Sequence, residues 1–593
     1  MSVIRTTVRQ GAYHDSIVLM QLQSALLDQP GVLDAGVVMA TEANFSMLAA
    51  SRLLPDPAPQ ATAEDLLVSV SAEDEDAAEA ALAKVDSLLT RRSSSGTEGD
   101  DYRPRSLRAA HRMAPDARWV LISVPGAFAA EVAREALDLG KNVMLYSDNV
   151  SSADEAELKR HAQDSGLLVL GPDCGTAIVG GTGLGFANRV KRGGAGLVAA
   201  SGTGLQAVAS RIDALGAGVS QAIGTGGRDL SEAIGATTAL QALDLLDRDP
   251  STRVIVLISK PPSSAVAARV LDRARRATKP VVVAFLGYPA PGRRLANLHF
   301  ARDLDEAAEL AVGLAESDAA DPAPVEAASA TSEPATSEPA TSGPATSEPA
   351  TSADGRRYLR GLFSGGTLAY EALLGLRPLV RPLSSNLSLD GVSALEDPHQ
   401  SVGHSIVDLG EDALTVGKLH PMMDPDAARR RLLREAGDPE TAVILLDVVL
   451  GDVAHLDPAA ELASTLAEIS EAEISSAGDA APAVVALLVG TDADPQDAES
   501  QAERLAAAGA IVERRLPAAL ERVLELLPKD KNPESSAKPA PLESLDGPLS
   551  VLNVGLDVFH HSLQDQGASS VQVDWRPPAG GNARLMSILA KMK

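Results

Sequence analysis

Aromatic residues are scarce in this chain: Phe, Trp and Tyr make up 3% of its 593 residues. Cores of this size cannot be built around rings, so aliphatic side chains must fill them, and Ala and Leu lead a hydrophobic fraction of 45%. Cysteine occurs once, as Cys174. That excludes a disulfide framework within the chain and suits a reducing cytoplasm. No apolar run is long enough to span a bilayer. The opening residues, MSVIRTTVRQGAYHDS, lack the apolar centre of a secretory signal, so a cytoplasmic protein is expected. Positive charge is in deficit, with 52 Lys and Arg against 80 Asp and Glu and a net charge of −28. Such a surface repels nucleic acid and anionic lipid, and neither is expected as a partner. An anionic substrate then needs local backbone or arginine donors.

A chain of this length exceeds one core, and about three to five domains are expected. The repeat TSEPATSEPATSGPATSEPATS, residues 331–352, is small, polar, acidic and proline-rich. It cannot bury enough apolar surface to offset its ordering entropy and reads as a disordered tether over 319–355. A second polar linker lies near residues 528–548. Residues 1–100 read as a small α+β, ferredoxin-like module. From about Ser106 short apolar strands alternate with helices, as in RWVLISV followed by PGAFAAEVAREALDLG. That rhythm predicts parallel, doubly wound sheets. It divides into 101–192, 193–318 and, after the tether, 356–530. Residues 531–593 form a βαβ-like fragment too small for its own core, expected to dock on something.

Two stretches repeat one design: GLVAASGTGLQAVASRI at 196–212 and RGLFSGGTLAYEALLGL at 360–376. In each, a strand stops at a Ser-Gly turn and a helix begins at once. Ligands of doubly wound sheets sit at the carboxyl ends of strands. A helix N-terminus there offers unpaired N–H groups and about half a positive charge. Ser201, Gly202, Thr203 and Gly204 form one candidate anion cradle. Ser364, Gly365, Gly366 and Thr367 form a second. A third glycine turn, AIGTGGRDL, adds Gly226, Gly227 and Arg228 to the first cradle. Either turn also serves as an ordinary tight bend. Cys174, in GPDCGTAIVGG, reads as a small packed residue rather than a nucleophile. His404, Asp408, His420 and Asp424 lack metal-type spacing, so no metal is expected and a polar loop network is their ordinary role.

GLVAASGTGLQAVASRIDALGAGVSQAIGTGGRDL resembles the ligase domain of the succinyl-CoA synthetase alpha subunit. GPDCGT resembles the end of that subunit's CoA-binding domain. With YSDNV, SKPP, FLGY, HPMMDP, LLDVVLG and WRPPAGGN, the chain resembles the FdrA family over most of its length. The resemblance implies a multidomain α/β fold: a CoA-binding Rossmann-like domain at 101–192, then two flavodoxin-like ligase domains of the succinyl-CoA-synthetase type. The synthetases carry phosphate on a histidine in a PGKRMGH motif. Here PGRRLAN places Asn297 at that position, with His299 two residues on, and no segment reads as an ATP-grasp domain.

The resemblance also extends to the large subunit of an oxamate carbamoyltransferase of allantoin breakdown. It implies phosphorolysis of oxalurate to oxamate and carbamoyl phosphate, with phosphate as substrate and no cofactor required. The alternatives are an NDP-forming acyl-CoA synthetase subunit, for which CoA would bind, and a non-catalytic scaffold. On the transferase reading, Ser201–Gly204 with Gly226, Gly227 and Arg228 hold phosphate. Ser364–Thr367 hold the oxamate carboxylate, and Asp173 or His420 moves protons. Other subunits of the same complex are implied as partners, in a homo- or hetero-oligomer.

Overall fold

Short apolar runs rich in Val and Ile set the main strands. Val254–Ser259 (VIVLIS) and Val281–Phe285 (VVVAF) are buried along their whole length, as parallel strands covered on both faces must be. The computed structural model describes parts of residues 3–88 and residues 104–316, 356–415, 419–475, 481–528 and 548–575. The TSEPA repeat lies outside the described residues. The chain divides into two units, 1–528 and 529–593.

In the first unit, Val3–Arg9, Leu66–Ala72 and Val32–Met39 form an antiparallel sheet in that spatial order, accompanied by helices Ser16–Leu27 and Glu75–Ala83. Next comes a parallel sheet of Trp119–Ile122, Asn142–Leu145 and Val169–Leu170. Helices Gly126–Asp138 and Ser152–Ser165 connect these strands.

The third sheet has eight strands. Its order is Arg294–Leu295, Leu298–Phe300, Val281–Phe285, Val254–Ser259, Arg192–Ala199, Val219–Gly224, Thr176–Val179 and Thr182–Gly185. The pairings between 192–224 and 254–300 are parallel except for the short hairpin at 294–300. The fourth sheet has seven strands, all parallel. Its order is Ser393–Ala394, Leu383–Ser385, His404–Asp408, Tyr358–Phe363, Thr441–Val449, Ala483–Val489 and Ile511–Glu513.

The boundary expected near residue 192 falls inside a sheet. The hairpin 176–185 runs antiparallel onto the large sheet, Ile178 opposite Ala222. Glycine-rich TAIVGGTGLG is made an edge hairpin by tertiary pairing. Gly171, just before it, has φ +95°, and a Cβ there would overlap the Leu145 carbonyl. Only glycine lets the chain turn from one sheet into the next there.

The two large sheets share one core. Helix Gly202–Ala214 contributes Leu205, Val208, Ala209 and Ile212, and helix Gly366–Leu376 contributes Leu368, Ala369, Ala372, Leu373 and Leu376. In the second unit, strands Ser550–Val554 and Ser569–Val573 pair in parallel around helix Asp557–Asp565. None of its described residues is buried, and Leu552, Val554, Phe559 and Val571 are exposed.

A buried charge cluster ties the three-stranded module to the eight-stranded sheet. Lys159 and Glu155, on helix Ser152–Ser165, have side chains fully withdrawn from solvent. The Lys159 ammonium donates to Glu155 Oε1 at 2.9 Å, Asp229 Oδ1 at 2.8 Å and the Thr225 carbonyl at 2.9 Å. Asp229 also accepts the N–H groups of Thr238 and Ala239, at the start of helix Thr237–Arg248. Each ion thus has several partners, which buried charges require. Lys159→Met should leave buried Asp229 without a cation and Glu155 with Arg228 alone, and cost about 3–5 kcal/mol. The expected outcome is a large drop in the thermal unfolding midpoint, and an unchanged midpoint would remove the cluster's structural role.

Candidate functional site

The two Ser-Gly turns do not face separate ligands; they meet. Ser201 Oγ donates to Thr367 Oγ1 at 2.7 Å, across 166 residues of sequence. A Cβ on Gly365 would overlap the side chain of Thr203. Both turns lie where strands end, after Arg192–Ala199 and Tyr358–Phe363. Their helices begin side by side and run on into the shared core.

The first turn keeps open donors. Ser201 is the N-cap of its helix, and its Oγ accepts the Gly204 N–H at 2.9 Å. That leaves the Gly202 and Thr203 N–H groups of the first turn without intrahelical acceptors. Gly202 is exposed, and a Cβ there would meet only Thr176 Oγ1, at 3.6 Å. The Thr176 hydroxyl is 1% exposed and has no hydrogen-bond partner. Two N–H groups and a spare hydroxyl therefore converge at one spot.

The second turn is different, and the carboxylate cradle expected at Ser364–Thr367 is corrected. The Ser364 N–H donates to Asp447 Oδ1 at 2.6 Å. Asp408 stands against Gly366, so that a Cβ there would overlap its carboxylate. The chain's own carboxylates already occupy this turn, leaving it poorly suited to a substrate carboxylate. Burial pushes Asp447 up to about 7, with the Asp408 charge adding to the rise. Neither sequence spacing nor composition singled out Asp447; its place at the end of Thr441–Val449, beside the second turn, is a product of sheet order.

Arg228 is also corrected. Its Nε lies 2.9 Å from Glu155 Oε2 and its terminal nitrogen donates to the Val150 carbonyl at 2.7 Å. The guanidinium is thus committed to the neighbouring module rather than turned into the first cradle. Gly226, at φ +85°, is needed for packing, since a Cβ would overlap the Pro172 carbonyl. Gly227 is exposed, with Asp173 Oδ2 3.6 Å from its Cβ position. An anion at Gly227 would face Asp173, so these glycines do not extend the phosphate cradle.

His420 does reach the paired turns. Its Nε2 is 2.9 Å from the Cβ position of Gly410, which also borders the Ser364 carbonyl and Asp408. The ring packs on Phe186, centroids 5.4 Å apart, and Nδ1 accepts the Met422 N–H. Burial pulls His420 down to about 4, so the ring is neutral at pH 7 and Nε2 carries its proton. Cys174 is buried and its thiol is pushed up to about 12 by desolvation, which rules out a thiolate nucleophile. Asn297 donates to the carbonyls of Ala274, Ala277 and Lys279. Leu298 pairs with Val281, the first residue of its strand. Asn297 therefore sits at the amino end of the sheet, away from the turns at the carboxyl end. Among the described residues no group of His, Cys, Asp and Glu could hold a metal ion, and no helix is long and apolar enough to cross a membrane.

Two flavodoxin-type modules joined at paired helix starts define a succinyl-CoA-ligase-like protein. Family models match accordingly: "Succinyl-CoA ligase like flavodoxin domain" over 192–312, "CoA-ligase" over 362–523 and "AllF, heavy metal-associated domain" over 1–104. The chain belongs to the family of the uncharacterized protein YahF of Escherichia coli, with 40% identity over 510 residues, 86% of this chain and 96% of that one. It is also similar to succinate–CoA ligase [ADP-forming] subunit alpha 2 of Archaeoglobus fulgidus, 32% identical over 199 residues, covering 32% of this chain and 67% of the relative. Among solved structures, it aligns with the dinucleotide-forming acetyl-coenzyme A synthetase 1 of Ca. Korarchaeum cryptofilum in complex with phosphate and ADP, at 16% identity and a TM-score of 0.28, covering 69% and 82% of the two chains. The family models and the Archaeoglobus relative support the ligase-like class rather than carbamoyl transfer. The residues matched to the heavy metal-associated domain contain no cysteine.

Two outcomes follow from this geometry. Gly365→Ala should destabilise the junction of the two turns through overlap with Thr203, and Thr203→Gly should restore part of the loss in unfolding midpoint. Asp447 binds its proton more tightly folded, at about 7, than unfolded, near 3.9. Its contribution to stability is full below about pH 4 and is lost as pH rises through about 7. Asp447→Asn should therefore gain stability relative to the parent as pH rises from about 4 to about 7 and keep that gain above it, measured by urea unfolding; a pH-independent difference would contradict the assignment.

Proposed function

We propose that this chain is the phosphate-handling subunit of a ligase-type acyl-transfer enzyme. It holds inorganic phosphate, or the phosphoryl end of an acyl phosphate, at the first turn of the paired cradle. The observation that carries this reading is the convergence of the Gly202 and Thr203 N–H groups with the unpartnered Thr176 hydroxyl, beside a second helix start. Fixed donors of this kind neutralise oxyanion charge without reorganising. They also align one phosphate oxygen with an acyl carbon. In the forward direction that oxygen bonds to the carbon, the bond to the leaving group breaks, and the departing atom takes a proton. The proton comes from the attacking hydrogenphosphate, and His420, neutral with its proton on Nε2, is a hydrogen-bond donor beside the second turn.

Coenzyme A is the acyl acceptor that the ligase class implies. The three-stranded module offers the start of helix Gly126–Asp138 and the exposed Val124 and Phe128. An apolar ledge beside a helix start suits a nucleotide-type ligand, and these residues would hold it. When bound, its thiol would be the leaving group of a thioester attacked by phosphate and, in the reverse direction, the acceptor of the acyl group.

A second reading is carbamoyl transfer of the FdrA and oxamate carbamoyltransferase type, in which oxalurate and phosphate give carbamoyl phosphate and oxamate. It is favoured by the absence of a carrier histidine at the expected position. Asn297 is an amide committed to three carbonyls, and His420 has a backbone donor on Nδ1, which opposes phosphorylation of Nε2. Other subunits complete the enzyme on either reading, a proposal supported by the uncovered apolar side chains of the C-terminal unit.

Gly202→Ala is the test. Its methyl meets only Thr176 Oγ1 at ordinary contact distance, so the fold should survive while the methyl fills the cradle. Calorimetric titration should show phosphate affinity at least about tenfold weaker, a loss of about 1.4 kcal/mol, with an unchanged melting temperature. Equal phosphate affinity in the two proteins would reduce the turn to a structural bend.

A further inference from the structure

We propose that Lys260 is the side-chain cation of this anion site and selects a phosphate-type dianion. The inference rests on the phosphate-binding reading above. Lys260 follows strand Val254–Ser259 directly, in the stretch SKPP. That strand pairs in parallel with Arg192–Ala199, with Ile258 opposite Ala199. The Ala200 N–H donates to the Ile258 carbonyl. Continuing the register by two residues brings Lys260 beside Ser201, at the mouth of the first turn. Its ammonium reaches across to the second turn, 3.7 Å from the Cβ position of Gly366. Lys260 thus borders both helix starts.

Among the described residues, no hydrogen bond or ion pair engages the Lys260 ammonium. This sets it apart from Lys159, Lys191 and Lys279, all of which have oxygen partners. Each helix start carries about half a positive charge. Asp408 stands on the second-turn side, against the same Gly366, while the first-turn side of the ammonium faces the open donors of Gly202 and Thr203, and an anion there balances that positive side. Pro261 and Pro262 have fixed φ angles and no N–H, so they hold the chain's exit from the strand and compete for no acceptor. The donors available to the ligand are the Gly202 and Thr203 N–H groups, the Thr176 hydroxyl and the Lys260 ammonium. They suit a tetrahedral oxyanion with more than one charged oxygen better than a planar carboxylate. SKPP marks the resemblance to the FdrA family without giving Lys260 a role, because a lysine after a strand is ordinary until two distant turns are folded against it.

The experiment titrates the full chain with inorganic phosphate and, separately, with acetyl phosphate, to distinguish free phosphate from the acyl phosphate as the natural ligand. Lys260→Met, Lys260→Arg and Gly202→Ala are run in parallel, each checked by its melting temperature. Lys260→Met should bind at least tenfold more weakly than the parent, and Lys260→Arg within a few-fold of it. Parent binding that Gly202→Ala abolishes but Lys260→Met leaves unchanged would overturn the role of Lys260 alone. Absence of binding of either ligand to the parent would overturn both proposals.

Discussion

The contact between Ser201 and Thr367, with Thr203 seated on Gly365, is the constraint on which the candidate site depends. It brings two helix starts to one place, and helix starts repel one another because each exposes N–H groups and partial positive charge. The repulsion is managed differently on the two sides. At the second turn the chain supplies its own carboxylates, Asp447 on the Ser364 N–H and Asp408 against Gly366. At the first turn the Ser201 hydroxyl satisfies only Gly204. The pair is therefore asymmetric, with one turn neutralised from within and the other left to a ligand.

The same junction constrains residues far from it. Helices Gly202–Ala214 and Gly366–Leu376 continue into a common core of small and medium aliphatics. Ala209, Ala369 and Ala372 keep that core thin enough for the helices to lie together. A chain with few aromatic residues can build such an interface without bulky side chains forcing the helices apart. The proximity of the two turns is thus an outcome of core volume as much as of polar contacts.

Buried charge has a second use in the link between the three-stranded module and the large sheet. Lys159 holds Glu155, Asp229 and the Thr225 carbonyl together, while Arg228 closes the outer side on Glu155 and Val150. The GGRDL stretch therefore serves orientation. Its glycines admit the Gly171–Pro172 turn, and its two charged residues clamp the neighbouring helix. A glycine turn with an arginine has the composition of an anion pocket, and only the partners of that arginine distinguish a clamp from a pocket.

The alternation of apolar strands and helices, the two Ser-Gly turns and the α/β class were legible in the sequence because they are local. Strand periodicity, turn chemistry and capping operate within about ten residues. The turn at Ser201, Gly202 and Thr203 is local in this sense, and so is the packed position of Cys174. Other features depend on residues brought together from far apart. The hairpin 176–185 became part of a sheet through pairing with Val219–Gly224. Arg228 was assigned by Glu155, Asp447 by Ser364, and Lys260 by Gly366, over separations that periodicity does not reach. The sequence by itself determined which segments could end in an anion-binding turn. Tertiary structure decided which turn keeps open donors, since hydrogen bonds and ion pairs between distant segments settle whether a polar group is free or already partnered.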